Sequence, residues 1–384
     1  MGLPVRKELR SPLRYTDYSL AGAAVAVALI GVAMNYAATW RQLEFDGDDP
    51  AFFAKRQAIF VVLGVIAMIG AAAVDYRFFR DFASQGYLIV LGFLVAVLFV
   101  GVEKNGARSW FEFPGLAFQL QPSEFAKVAV VLSLAAFVAN HEGHLKTDAL
   151  INALLLVVVP MVLIFLQPDI GTMLVFVAIA MGMLLVAGAQ IRHIVFTTTL
   201  GILAILVVFG SDDLGGPKLI RQNQENRLTA FINPDFDPSG ASYSLNQSQI
   251  AVGAGGLTGQ GWLEGSQTTL DLIPEQETDF IFTAVAEEFG FLGSTTVLLL
   301  YGYILFRIWR IAATARDLFG TFVCVGMLSM FLFQLFQNVG MTVGIMPITG
   351  ITLPFMSHGG SSALVAFASI GVVLNVGSRR HMPV

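Results

Sequence analysis

Apolar residues gather in long runs along this chain, and the runs are about as long as a bilayer is thick. A membrane-crossing helix needs roughly 20 such residues. Ten stretches approach that length, at about 18–39, 57–74, 84–101, 123–139, 150–166, 170–187, 193–210, 290–306, 318–340 and 358–376. Only Gln167-Pro168-Asp169 separates the fifth from the sixth, which predicts a tight helical hairpin. Proline stops one helix there, and Asp169 can cap the next. The first run is too long for a signal-peptide core and others follow it, so it is expected to be retained as a span.

The connectors are unequal. One side has short ones, while the other has 40–56, 102–122 and the long 211–279. A connector of that last length is more than a linker. Within it, Ile250 to Leu257 and Trp262-Leu263 are apolar and glycine-laced, which points to short re-entrant or interfacial helices. The expected fold is an all-α polytopic membrane protein with about ten transmembrane helices. It forms a single domain over 1–384, with tails at 1–17 and 377–384 and a large extracellular loop at 211–279.

Composition narrows the class. Hydrophobic residues make up 55% of the 384 positions and charged residues 13%, and the mean hydropathy is +0.72. A soluble chain of this size could not cover so much apolar surface with so few charges. Disorder and a basic nucleic-acid module are excluded too, so no nucleic-acid partner is expected. The net charge of −5 matters less than where charge sits. With the N-terminus inside, the inner segments hold 13 of the 22 Lys and Arg residues and the outer connectors 8, Lys127 lying within a span. Both termini are then cytoplasmic. Cys324 is the one cysteine, so neither an intrachain disulfide nor a cysteine zinc site can form.

Ionisable residues in or beside apolar spans are costly, and each is a functional candidate. Arg108 precedes Gln121-Pro122-Ser123-Glu124-Phe125-Ala126-Lys127, where Pro122 and Ser123 look like a helix start. Glu124 and Lys127 then share a helix face at i,i+3. The plain alternative is an ion pair that only neutralises both charges. Asp169 opens the sixth span, where an N-cap role alone would explain it. Pro274 to Gly290 carries Glu275, Glu277, Asp279, Glu287 and Glu288. Helix-dipole stabilisation explains the first two well, and Asp279, the last acid before the apolar stretch, less well. Glu287 and Glu288 are expected to be structural. Pro347 to Ser362 breaks the chain before the last span, and its Gly359-Gly360-Ser361-Ser362 start offers N–H groups to an anion, or simply eases helix packing.

Taken together and in order, these segments resemble the SEDS family (shape, elongation, division and sporulation), which includes RodA and FtsW. The carrying stretches are Asn105–Trp110, Gln121–Lys127, Gln167–Thr172, Arg227–Pro238, Gln247–Leu257, Pro274–Gly290 and Asn338–Ser361, and they span nearly the whole chain. The stretch Gly261 to Thr268 is most similar to the RodA branch. One departure is His358, at a place where relatives often carry Tyr.

The resemblance implies a peptidoglycan glycosyltransferase of the bacterial cytoplasmic membrane, with its active site outside, serving elongation and rod shape. It would polymerise lipid II, release undecaprenyl diphosphate, and work with a class B penicillin-binding protein and the elongation machinery among membrane lipids. Such chemistry needs one carboxylate to take a hydroxyl proton, and cations to receive a diphosphate. Asp279 resembles the family's essential acid. Lys127 and Arg108 are the expected cations, with Glu124 orienting Lys127. Arg227 is expected to help hold phosphate, and Gln121, Asp169 and Ser361 to make further substrate contacts. Asp279 could instead hold a divalent cation, Mg or Mn, on the diphosphate. A neighbouring Lys127 would lower the Asp279 pKa. The rival readings are a lipid II flippase, a non-catalytic scaffold, and the division-specific FtsW-type polymerase.

Overall fold

The computed structural model describes residues 15–104, 107–112, 118–141, 147–190, 222–233 and 240–380, and the isolated positions 192, 199 and 201. The long helices are α1 (Tyr18–Asp46), α2 (Phe52–Ala73), α4 (Ala83–Val100), α5 (Pro122–Ala139), α6 (Thr147–Phe165), α7 (Ile170–Val186), α11 (Ile281–Ala313), α12 (Leu318–Thr342) and α13 (Gly360–Arg379). Shorter helices are α3 (Tyr76–Asp81), α8 (Gln222–Ile232), α9 (Ala241–Ala254) and α10 (Ser266–Thr269). Eight helices among the described residues are long and apolar enough to cross a membrane, and the 17-residue α7 is a shorter apolar one. The expected seventh span, 193–210, falls outside the described residues apart from 199 and 201.

The centre of the bundle is α13, whose sides are almost wholly enclosed, while α4 is mostly exposed at the rim. α13 lies along α2, and glycines allow the approach. A Cβ on Gly371 would sit 2.3 Å from the Met68 carbonyl, and one on Gly64 would meet the Phe367 ring at 2.4 Å. Small residues bring helices together in this way where lipid offers no hydrophobic drive. α12 packs on α5, α7 and α11, and α1 packs on α2 and α11. Exposed Leu, Ile, Val and Phe side chains of α2, α4 and α6 suit the hydrocarbon region.

The expected α6–α7 hairpin forms. α6 ends at Phe165, α7 starts at Ile170, and Asp169 accepts from the Thr172 N–H as an N-cap. Two features depart from the sequence pattern. The connector after α4 folds into a small antiparallel sheet, β1 (Val102–Lys104), β2 (Ala107–Glu112) and β3 (Gln119–Leu120), in the order β1-β2-β3. And the expected 290–306 span is the inner part of a longer helix, α11, broken at Gly290 (φ 62°, ψ −155°).

The glycine-laced stretch after α9 fills that break. Gln260 and Gly261 donate backbone N–H groups to the Glu287 and Glu288 carbonyls, and Phe291 and Leu292 donate to Gly256 and Leu257. The helix interruption therefore leaves its backbone satisfied, as an apolar setting demands. Glu287 is fully buried and accepts from the Gln267 and Thr268 N–H groups and from the Ser266 and Thr268 hydroxyls. This matches the structural role expected of it.

Candidate active site

Asp279 ends a short turn just before α11, its N–H donating to the Glu275 carbonyl at 3.0 Å. Three other elements close around it. One is the turn holding Gly350, where a Cβ would lie 3.3 Å from Asp279 Oδ2 and 3.4 Å from Arg227 Nη1. Gly350 is also left-handed, at φ +72°, a backbone conformation that favours glycine there. The second is α8, which carries Arg227 and is tied to the α6–α7 hairpin by Gln224 donating to the Pro168 carbonyl. The third is the start of α7, where a Cβ on Gly171 would meet the Thr349 carbonyl at 2.6 Å. A carboxylate, a guanidinium and a helix start, encoded far apart, thus share one end of the bundle.

Electrostatics at this point favour a weakly acidic carboxyl. Burial pushes Asp279 up to about 6, Arg227 pulls against that, and Glu275 and Asp169 push in the same direction as burial. Burial also raises Glu277 next to it. The net effect on Asp279 is a rise, where a lowering by Lys127 was expected. A carboxylate whose pKa lies near 6 is a better proton acceptor than an ordinary aspartate and is still ionised at neutral pH.

Lys127 and Glu124 form the expected pair. Lys127 Nζ lies 2.8 Å from Glu124 Oε1, with the side chains 2% and 9% exposed. They border a cavity of about 10 Å³ with Gln334 of α12, Thr352 and Ser362. This places the pair between α5, α12 and α13.

Gln121, Asp169 and Ser361 form a linked set. Ser361 Oγ accepts from the Gln121 N–H and donates to the Gln119 carbonyl. Gln121 Nε2 reaches Asp169 Oδ2 at 3.4 Å, and Thr172 Oγ1 donates to the same oxygen at 2.7 Å. The starts of α5, α7 and α13 are thereby stitched together. Asp169 is both the N-cap and part of the field at Asp279.

Arg108 is placed differently from the expectation. It sits on β2 opposite Glu103, half-exposed, with Nε 3.3 Å from Glu103 Oε2. The residue of β2 that turns inward is Ser109, which donates to the Gln167 carbonyl. Strand alternation sends neighbours to opposite faces, and a residue-by-residue reading of a short loop misses that. His358 borders the site through its N–H, which donates to the Glu277 carbonyl at 2.8 Å. Burial and Arg56 hold its ring well below the usual imidazole range, at about 4, so it is neutral at pH 7.

Sequence reasoning gave no role to Asn338. It is fully buried near the end of α12, and its amide donates to the carbonyls of Asp279 and Ile351, each at 2.8 Å. Its signal was a cluster of amides, Gln334, Gln337 and Asn338, near the end of an apolar run.

Comparison with known proteins agrees over almost the whole chain. The family model FTSW_RODA_SPOVE, described as cell cycle protein, matches residues 18–382. Stage V sporulation protein E of Bacillus subtilis (strain 168) is 41% identical, over 90% of this chain and 93% of its own. Peptidoglycan glycosyltransferase MrdB of Escherichia coli (strain K12) is 35% identical, over 84% of this chain and 85% of its own. Among solved structures, Thermus thermophilus rod shape determining protein RodA superposes with a TM-score of 0.70 at 28% identity, covering 96% of this chain and 98% of that one. The chain belongs to the FtsW/RodA/SpoVE family of cell cycle proteins, the SEDS proteins.

Proposed function

We propose that this chain is a peptidoglycan glycosyltransferase that polymerises lipid II at the outer face of the bacterial cytoplasmic membrane. The observation that carries the reading is Asp279 beside Arg227 at the mouth of the bundle, with its pKa lifted to about 6. Relatives bearing the name peptidoglycan glycosyltransferase support it.

The chemistry follows from the groups present. A sugar hydroxyl of one lipid-linked unit attacks the anomeric carbon of another through an oxocarbenium-like state. Asp279 accepts the hydroxyl proton as the new C–O bond forms. The bond from that carbon to the diphosphate breaks, and undecaprenyl diphosphate departs as an anion. Arg227 is placed to stabilise the charge that develops on it. Lys127, held by Glu124, would add positive charge from the wall formed by α5, α12 and α13. Gln121, Asp169 and Ser361 shape the wall between α5, α7 and α13. Among the described residues no three His, Cys, Asp or Glu side chains gather as a metal-ligand set. Mg²⁺ commonly takes one or two carboxylates with phosphate oxygens, so Asp279 together with a diphosphate is a compatible donor set. In that alternative Asp279 would hold the ion instead of serving as the base, and the ion would neutralise the leaving group.

The partner in this reading is a class B penicillin-binding protein. A solved chain of a peptidoglycan synthase complex that coordinates polymerization and crosslinking has a TM-score of 0.77 with this one at 29% identity. The Gly261 to Thr268 stretch favours elongation. The division-type reading has its own support in relatives named FtsW, one of them 33% identical over 96% of this chain. Identifying which penicillin-binding protein copurifies separates the two. The activity itself is tested with labelled lipid II and purified chain, with and without the penicillin-binding partner, transpeptidation being blocked. Long glycans are expected. Transfer of lipid II across vesicles without any glycan would point to a flippase instead.

A further inference from the structure

We infer that Asn338 is a positioning residue for the reaction, and that it works by clamping Asp279 to the turn that carries Gly350. The inference rests on Asp279 being the base. Both amide hydrogens of Asn338 are committed, one to the carbonyl of Asp279 and one to the carbonyl of Ile351, each at 2.8 Å. The two carbonyls belong to chain segments about 70 positions apart. The first is the residue of the base itself. The second directly follows Gly350, whose Cα faces both the Asp279 carboxylate and the Arg227 guanidinium.

One side chain therefore sets the spacing between the main chain that carries the carboxylate and the turn that carries Gly350. Asn suits this task. It offers two N–H donors on one planar group, where Ser offers one and Asp, when ionised, none. It is fully buried in α12, and the neighbouring Gln337 donates to the Pro347 carbonyl, fixing the far side of the same turn. Asn338 touches no reacting atom in this arrangement. It acts through Asp279.

The expected consequence is kinetic. A base displaced by about 1 Å costs on the order of a hundredfold in rate. Asn338→Ala should lower kcat for lipid II polymerisation by about tenfold to a hundredfold, with KM changed less than about threefold. The acid limb of its pH–rate profile should also move below the wild-type midpoint, because an untethered carboxylate relaxes away from its packed neighbours. Asn338→Ser, which keeps one donor, should fall between the two.

The test uses the full chain with its penicillin-binding partner, and rates are expressed per folded molecule from the thermal transition in detergent. Asp279→Asn runs beside it. An active Asp279→Asn would remove the base assignment on which the inference rests. With Asp279→Asn inactive, a wild-type kcat and pH limb in folded Asn338→Ala would overturn the clamp. So would a loss wholly accounted for by less folded protein. A lowered kcat with a shifted limb, restored partly by Asn338→Ser, would establish it.

Discussion

The Lys127–Glu124 pair allows structural and functional roles to be separated by one set of variants. The two charged atoms are 2.8 Å apart and almost fully enclosed. At an effective dielectric of about 20, charges that close attract by roughly 6 kcal/mol, and desolvation of both ions offsets much of it. Removing one partner leaves the other buried and unpaired. Lys127→Met should therefore destabilise the bundle by about 3–5 kcal/mol, more than a hundredfold in the folding equilibrium. Glu124→Gln together with Lys127→Met should recover most of that stability, because no uncompensated charge remains. Activity should not return with it if Lys127 serves the diphosphate. The assay is a denaturant or thermal transition in detergent, followed by lipid II polymerisation per folded molecule. Unchanged stability in Lys127→Met would refute the buried-pair reasoning. Full activity in the double variant would reduce the pair to charge neutralisation.

Other outcomes follow from the same geometry. Asp279 is raised above its ordinary value, so its folded form binds a proton more tightly than its unfolded form between about 4 and 6. Stability should fall as pH rises through that window, and Asp279→Asn should be more heat-resistant than wild type at pH 7.5 by thermal scanning. Polymerisation by wild type should fall as pH drops through about 6, seen in initial rates from pH 5 to 8. Glu287→Ala leaves the Gln267 and Thr268 N–H groups without their acceptor, and should cost at least about 2 kcal/mol and open the 255–268 stretch to limited proteolysis. Asp169→Ala loses the α7 cap, about 1 kcal/mol in the thermal transition, whereas Asp169→Asn should keep most of it.

Much of this architecture was legible because hydropathy reports burial in lipid directly. The helix hairpin at Gln167-Pro168-Asp169 and the Glu124–Lys127 face follow from spacing alone. The break at Gly290 was not legible, since its stabilising partner is the 255–261 stretch, some thirty positions away, and the sequence shows only an acidic run meeting an apolar one. The small sheet was missed because strands of 2, 3 and 6 residues leave too little alternation to read. At the site, residue types were legible and distances were not. Lys127 and Arg108 were the expected neighbours of Asp279 by topology. The structure brings Arg227, from the long loop, against Gly350 instead, and turns Arg108 toward Glu103. Asn338 went unnoticed for the same reason, as one amide among Gln334, Gln337 and Asn338 gains meaning only when its two carbonyl partners are seen.

The most direct measurement is the rate of glycan formation by Asp279→Asn against wild type. Both would be purified with the penicillin-binding partner, supplied with labelled lipid II and matched for folded protein. The substitution keeps the shape of the side chain and removes its ability to accept a proton. The expected result is long glycan from wild type and none from the variant at any pH between 5 and 8. Glycan from Asp279→Asn at a rate near wild type would contradict the assignment of Asp279 as the base, and with it the proposed chemistry of the site.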